Sequence, residues 1–423
     1  MLQVGFIRDN KEEVISRLSK RIDDAEKIVN DILILDISRR DTQTQLDSIS
    51  SELNTISKEI GILFKSGQSN KASVLKQKTQ DLKEQKSVLA ELLSHTTNKL
   101  NNLLYQTPNL PHSLVPDGDS DNDNEEVFRY GKIPDLSNDA LTHWELAKKF
   151  DIIDFELGNK ITGAGFPVYK GKGARLQRAL INYFLDKNTN AGYNEVQVPH
   201  LVNEASGFGT GQLPDKEGQM YYIEADNLYL IPTGEVPATN IFRDVIFKSN
   251  DLPKKLTTYT PCFRREAGSY GAHVRGLNRL HQFDKVEILR VEHPSKSYTA
   301  LESMVSHVKD ILNELKLPYR ILRLCSGDLG FTSALTYDFE IFSAAQKRWL
   351  EVSSVSNFET FQSNRLKLRF KNSEGKSQLT HTLNGSALAL PRVLAGILEN
   401  FQTNNGVEIP KVLIPYTGFD TLN

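Results

Sequence analysis

No proline occurs in this 423-residue chain before Pro108, and only three of its 26 glycines, Gly5, Gly61 and Gly67, precede it. Nothing in that stretch removes a backbone donor, so long uninterrupted helices are open to it. The apolar residues say where they run. Ile28, Ile32, Leu35, Leu46, Ile49, Leu53, Ile56, Ile60 and Leu63 step alternately by four and three, with Arg39 and Thr42 on the two remaining seam positions. This is an a/d heptad held for about five repeats, a rod on the order of 55 Å at ~1.5 Å per residue. Residues 65–70 break the pattern, and a second stripe follows at Leu75, Leu82, Leu89, Leu93, Leu100 and Leu103. Two stripes joined by a short polar tip predict an antiparallel two-helix coiled-coil arm.

The stripes differ in charge. Four basic residues stand against seven acidic ones over 26–59, and seven lysines against three acidic residues over 65–100. Composition alone favours solvated faces of balancing sign. The sharper reading is a phosphate-tracking stripe on the second helix, without an aromatic platform for base stacking. The whole chain has a net charge of −2, which excludes a uniformly basic nucleic-acid binder but not a local patch. Cys262 and Cys325 cannot alone make a disulfide framework or a zinc cluster, so a reducing cytoplasm fits and no zinc is expected. No run approaches the ~18 apolar residues of a membrane helix. The N-terminus reads as neither a signal nor a transit peptide.

Pro108, Pro111 and Pro116 followed by the acidic run 117–126 predict an extended, self-repelling linker. Asp117, Asp119 and Asp121 alternate as in a calcium loop, but the glycine and terminal glutamate are misplaced for one. From 127 onward, apolar runs alternate with glycine-marked turns and helical stretches. Residues 228–231 read as strand and 176–185 as helix, an α+β pattern of about 300 residues. The expected division is thus 1–107, 108–126 and 127–423.

Several motifs could carry chemistry. Gly163-Ala164-Gly165 is only a fragment of a dinucleotide fingerprint, and the glycine spacing before Lys172 is wrong for a P-loop. Phe263-Arg264-Arg265-Glu266, a glycine-rich stretch over 268–276 and Arg279-Leu280-His281-Gln282-Phe283 read as strand, polar loop and returning strand. That order would bring Arg264 and Phe283 together on one sheet face, an arginine to clamp phosphate and a ring to stack on a base. In Glu351-Val352-Ser353-Ser354, strand alternation puts Glu351 and Ser353 on one face and Ser354 opposite. A carboxylate with a hydroxyl can help hold Mg²⁺ beside substrate phosphates. Residues 384–392 read as a small-residue helix start that ends in Pro391-Arg392.

Taken in order, these pieces closely resemble the class II aminoacyl-tRNA synthetases, specifically the bacterial-type seryl-tRNA synthetase family. Residues 192–199 resemble the first class motif, Phe263–Glu266 with Arg279 and Phe283 the second, and the stretch ending in Pro391-Arg392 the third. Thr233-Gly234-Glu235, residues 281–287, residues 351–354 and Asn384-Gly385-Ser386 point to serine. Gly234 stands where other members often have Ala or Ser.

The resemblance implies an antiparallel sheet beneath the active site with flanking helices, and a homodimer joined through the first motif. It implies ATP-dependent activation of L-serine and transfer to tRNA(Ser), with tRNA(Sec) a further acceptor and no DNA or membrane partner. Arg264, Glu351 and Arg392 would be the catalytic residues. Arg264, Arg265, Glu266, Leu280, Phe283, Glu351, Val352, Ser353, Ser354 and Arg392 would bind ATP, and Glu351 and Ser354 Mg²⁺. Serine would meet Thr233, Gly234, Glu235, Arg264, Glu287, Asn384 and Ser386. For Glu287 the alternative is a structural salt bridge with Lys285 or Arg290. Lys71, Lys76, Lys78, Lys83 and Lys86 are candidates for the tRNA. A class II-like ligase that loads a carrier protein is the rival reading, and such homologues lack the long arm.

Overall fold

The computed structural model describes residues 1–136, 139–215, 217–266 and 274–423. The chain divides into two compact units, residues 2–108 and residues 109–423 together with Met1.

The first unit is a helical hairpin. Helices Ala25–Lys65 and Ser69–Gln106 pack along each other, and Gly67 takes φ 75° in the turn between them. Ile32, Thr42 and Ile56 of the first helix are buried, as are Ala72, Leu82 and Leu100 of the second, while Ile34, Ile37 and Ile62, off the seam, are exposed. Arg39, the anomalous seam residue, has a reason to be there. Buried Asp36 accepts from Arg39 Nη2 and from Arg8 Nη1, each at 2.8 Å, so a paired carboxylate replaces an apolar contact. Two helices absent from the sequence reading, Val4–Asp9 and Lys11–Leu18, bury Ile7, Val14 and Leu18 and pack on Ala25–Lys65.

The second unit is built on an eight-stranded sheet. Its strand order is Glu125–Tyr130, Tyr319–Arg323, Leu335–Ser343, Arg348–Glu359, His381–Ala389, Gln282–Glu292, Lys254–Phe263 and Asn194–Glu195. All neighbours are antiparallel except the last pair, which is parallel. Alternation along Gln282–Glu292 sends Val286 and Ile288 into the apolar core and Phe283, Lys285 and Glu287 to the other face. Helix Ser297–Leu315 covers the core face. Gly385 leaves room there, since a Cβ would lie 3.3 Å from Val355 and 3.4 Å from Met304.

Two expectations are corrected. Residues 109–126 are not a free linker. Val115 is buried in the core cluster, and Asn109 donates its side-chain amide to Thr332 and Phe358 carbonyls at 2.9 Å each. The run meets its own partners: Asn124 donates to Asp328 at 2.7 Å, and Glu125 opens the edge strand opposite Arg323. Residues 384–389 are not a helix start but the end of the central strand His381–Ala389, which is closely packed on its core face at Gly385. The helix begins at Leu390, with Pro391 in its first turn, where the missing N–H costs nothing. Of the glycine-rich loop expected at 268–276, residues 268–273 lie outside the described residues.

Candidate active site

The cavity face of the sheet carries a hollow of about 440 Å³. Thr233, Glu235, Arg264, Glu266, Leu280, Phe283, Glu351, Val352, Ser353, Ser354, Asn384, Ser386 and Arg392 all line it. Thirteen of the expected residues, spread over 160 positions of sequence, therefore meet in one place. Arg265 does not join them: it is exposed, and its backbone N–H bonds the Gln219 carbonyl at 2.9 Å.

Register explains the nucleotide side. Phe283 lies opposite Cys262, two residues before Arg264, and the Arg264 guanidinium sits 5.3 Å from the Phe283 ring centroid. Arg264 Nε also donates to the Pro232 carbonyl at 3.3 Å, which fixes the fork beside the 233–235 turn. Glu266 adopts φ 47° and pairs with Arg279, so it holds the returning end of the loop. Arg392 donates from Nη1 to the Glu351 carbonyl at 2.9 Å and from Nε to the Asn278 carbonyl at 2.9 Å.

Simple alternation fails at 351–354. Phe339 pairs with Ser353 but Glu340 with Glu351, so Val352 is an extra residue in a bulge. The bulge resets the phase and turns Glu351 and Ser354, rather than Glu351 and Ser353, toward the cavity mouth. Ser353 is buried and spends its hydroxyl on the Ser386 carbonyl at 2.5 Å. Behind Ser354 stands Asp338, which sequence reasoning missed. Burial first, and then Glu351, push its carboxyl well above the usual range.

The other end of the cavity is a tight polar pocket. Glu287 lies directly opposite Ser386 across two strands and is 2% exposed. It accepts from Thr233 Oγ1 at 2.8 and 2.9 Å, from the Glu235 N–H at 3.1 Å and from Asn384 Nδ2 at 3.3 Å. Lys285 Nζ completes the set, 3.0 Å from Glu287 and 3.0 Å from Thr233 Oγ1. Glu287 thus makes the Lys285 salt bridge weighed as an alternative and stands behind the cavity lining, while Arg290 turns away to Tyr193 and Ser303. Lys285 was not expected among the ligand-facing residues. Its i, i+2 spacing from Glu287 on a half-buried strand was the available signal. Gly234 is explained by the same crowding: a Cβ would come 2.8 Å from Glu287 Oε2 and 2.8 Å from Thr260 Oγ1. Cys262, beneath this pocket, is fully buried, and burial pushes its thiol up to about 11.

The five candidate lysines of the hairpin are all exposed. Two have partners within the hairpin: Lys78 pairs with Glu52 at 2.7 Å, and the Lys76 ammonium lies 4.8 Å from the Phe64 ring centroid.

Comparison with known proteins bears directly on this geometry. Residues 221–401 match the family model described as the tRNA synthetase class II core domain (G, H, P, S and T), so the sheet and its cavity are those of a class II aminoacyl-tRNA synthetase. Residues 1–111 match the seryl-tRNA synthetase N-terminal domain. A serine–tRNA ligase of Salinibacter ruber is 47% identical, with 99% of this chain and 98% of that protein covered. One from Akkermansia muciniphila is 45% identical over 100% and 99%. A crystal structure of seryl-tRNA synthetase from Pyrococcus horikoshii complexed with ATP superposes with a TM-score of 0.92 at 32% identity, covering 100% of this chain and 99% of that one. The chain belongs to the serine–tRNA ligase family.

Proposed function

We propose that the cavity joins L-serine to ATP and that the seryl group then passes to the 3′-terminal ribose of a tRNA held by the helical hairpin. The serine carboxylate attacks the α-phosphorus, the bond to the β-phosphate oxygen breaks, and pyrophosphate leaves behind seryl-adenylate. A carboxylate is already ionised at pH 7, so the first step asks no side chain for a proton. It asks for positioning and for positive charge where the phosphate becomes more negative. Arg264 supplies that charge at the junction of the two halves of the cavity. Phe283 stacks on the adenine and Arg392 packs from the other side toward the γ-phosphate. Glu266 and Arg279 together brace the loop.

The observation that carries this reading is the contiguity, in one cavity, of a guanidinium-and-ring nucleotide site with a buried polar pocket. Thr233 and Glu235 receive the serine ammonium group, and Ser386, backed by Glu287, receives the hydroxyl. Alanine would leave these buried groups unsatisfied, which supports discrimination on the order of 10⁴-fold, whereas threonine is held back by shape alone and less strongly.

The donor set suits Mg²⁺. Glu351 offers a half-exposed carboxylate, and the Ser354 hydroxyl lines the same cavity. Mg²⁺ takes few protein ligands and keeps waters and substrate phosphates for the rest. Glu351 and Ser354 would hold such an ion, and the chemistry it would supply is neutralisation of charge on the substrate phosphates.

Double-stranded RNA is read through shape and backbone, which a lysine-bearing helix without stacking residues can do. Lys71, Lys83 and Lys86 are the first choices among the five lysines, since no partner of any of them is found among the described residues and all three are exposed. A homodimer through residues 192–199 is supported by the sheet ending in the two-residue strand Asn194–Glu195. A cytoplasmic setting is supported by two buried free thiols and by the absence, among the described residues, of any helix long and apolar enough to cross a membrane.

Charging assays test the reading. Full-length protein with ATP, Mg²⁺ and labelled serine should place serine on tRNA(Ser) transcripts, and on tRNA(Sec) transcripts tested in parallel. Label appearing on a carrier protein instead, with neither tRNA charged, would overturn it in favour of the ligase alternative.

A further inference from the structure

A buried polar network outside the cavity holds one wall of it in place. Helix Leu390–Asn400 carries Arg392 in its first turn and Glu399 in its last, seven residues apart and hence on one face. Glu399 and His143, the latter in helix His143–Lys149, are both wholly buried. Glu399 Oε1 accepts from the His143 N–H at 2.9 Å, from His143 Nδ1 at 2.7 Å and from Gln346 Nε2 at 2.9 Å, while Oε2 accepts from the Ser343 hydroxyl.

Each member then orients the next. His143 Nε2 accepts the Leu277 N–H at 2.8 Å, and a backbone amide can only donate, so the ring is the neutral Nδ1–H tautomer. Gln346 turns its amide nitrogen to the Glu399 carboxylate and thereby presents Oε1 to Asn278 Nδ2, at 2.9 Å. The Asn278 carbonyl in turn receives Arg392 Nε at 2.9 Å. The fit at the hinge is close: Gly276 has φ +68°, and a Cβ there would collide with the His143 ring. A serine–histidine–carboxylate trio suggests a nucleophile site, but His143 is bonded at both nitrogens and Ser343 meets Glu399 rather than the ring. The network has no free reactive atom.

We propose that His143, Glu399 and Gln346 are positioning residues for the nucleotide, anchoring Leu277 and Asn278 so that Arg392 is held ready in the ATP half of the cavity. The serine pocket, built on Thr233, Lys285 and Glu287, shares none of these bonds. The proposal rests on the nucleotide reading of the cavity given above.

The test is steady-state serine-dependent ATP–pyrophosphate exchange by the full chain, with thermal melts confirming folding. His143→Ala should raise the KM for ATP about tenfold and leave the KM for serine within about twofold, the expected consequence of misplacing a positioned group. His143→Gln, which can offer an oxygen near the Nε2 position, should recover most of that loss. If His143→Ala does not fold, Gln346→Met keeps the bulk, removes the relay and should give the same split. In an Arg392→Ala background the further loss of ATP affinity from His143→Ala should vanish, because the effect runs through Arg392. An unchanged KM for ATP, equal rises in both KM values or additive losses in the double variant would overturn the proposal. Absence of serine-dependent exchange in the unaltered protein would instead strike the reading of the cavity itself.

Discussion

Glu235 is buried against Gln362 Nε2 at 2.5 Å, and burial first, Glu287 second, push its carboxyl up to about 7. Serine brings an ammonium group that favours the ionised form, so binding expels a proton wherever the free pocket holds one. The KM for serine should therefore rise as pH falls from 8 to 6, approaching tenfold per unit on the acid side. Glu235→Gln should bind serine weakly and flatten that profile, and a wild-type KM constant across this range would contradict the assignment. Gly234 belongs to the same scale. A methyl group there must move a Glu287 carboxylate held by four hydrogen-bond donors. Gly234→Ala should cut kcat/KM for serine about tenfold while sparing the KM for ATP. Neither property was legible in the sequence. The residues could be named, but a pocket in which Lys285, Thr233 and Glu287 satisfy one another depends on strand register, which a sequence leaves open.

At the scale of elements, the long helices were the most legible part, because a heptad seam without proline or glycine admits little else. The seam's one charged position became intelligible only with Asp36 and Arg8 in view. The strand that leads into Arg264 and the one that carries Phe283 and Glu287 were readable as a returning pair. The bulge at Val352 was not, since one extra residue leaves no mark on composition yet shifts the phase of the strand between Glu351 and Ser353. The acidic run at 117–126 misled because its backbone and Asn124 are bonded to residues 325–328, far along the chain, which charge composition does not show. The hairpin also bears its own prediction. Removing residues 28–103 should spare serine-dependent pyrophosphate exchange and abolish tRNA charging. Equal loss of both in a folded variant would remove the hairpin's separate role.

For the whole molecule, acid stability follows from two buried imidazoles. His307 bonds Asn188 Oδ1 at 2.7 Å and His381 meets Ser297 Oγ at 2.8 Å, and burial pushes both rings down to about 4. The unfolded chain binds their protons near pH 6.5 and the folded chain only near 4, so the stability they contribute is present above 6.5 and lost as pH falls through that window. Glu235, Asp338 and Glu340, whose carboxyls burial pushes up, run the other way, their contribution present at low pH and lost as pH rises. The change in melting midpoint from pH 7 to pH 4.5 should be less downward in His307→Gln than in the unaltered protein, and identical pH dependence of the two would refute this. Function at the same scale rests on the claim that one cavity, assembled from strands far apart in sequence, selects and activates serine. Pyrophosphate exchange into ATP, run with serine, threonine, alanine, glycine and cysteine and without tRNA, tests it most directly. Exchange with serine well above the other four is the predicted result; exchange led by another amino acid, or none from folded protein with Mg²⁺ present, would contradict it.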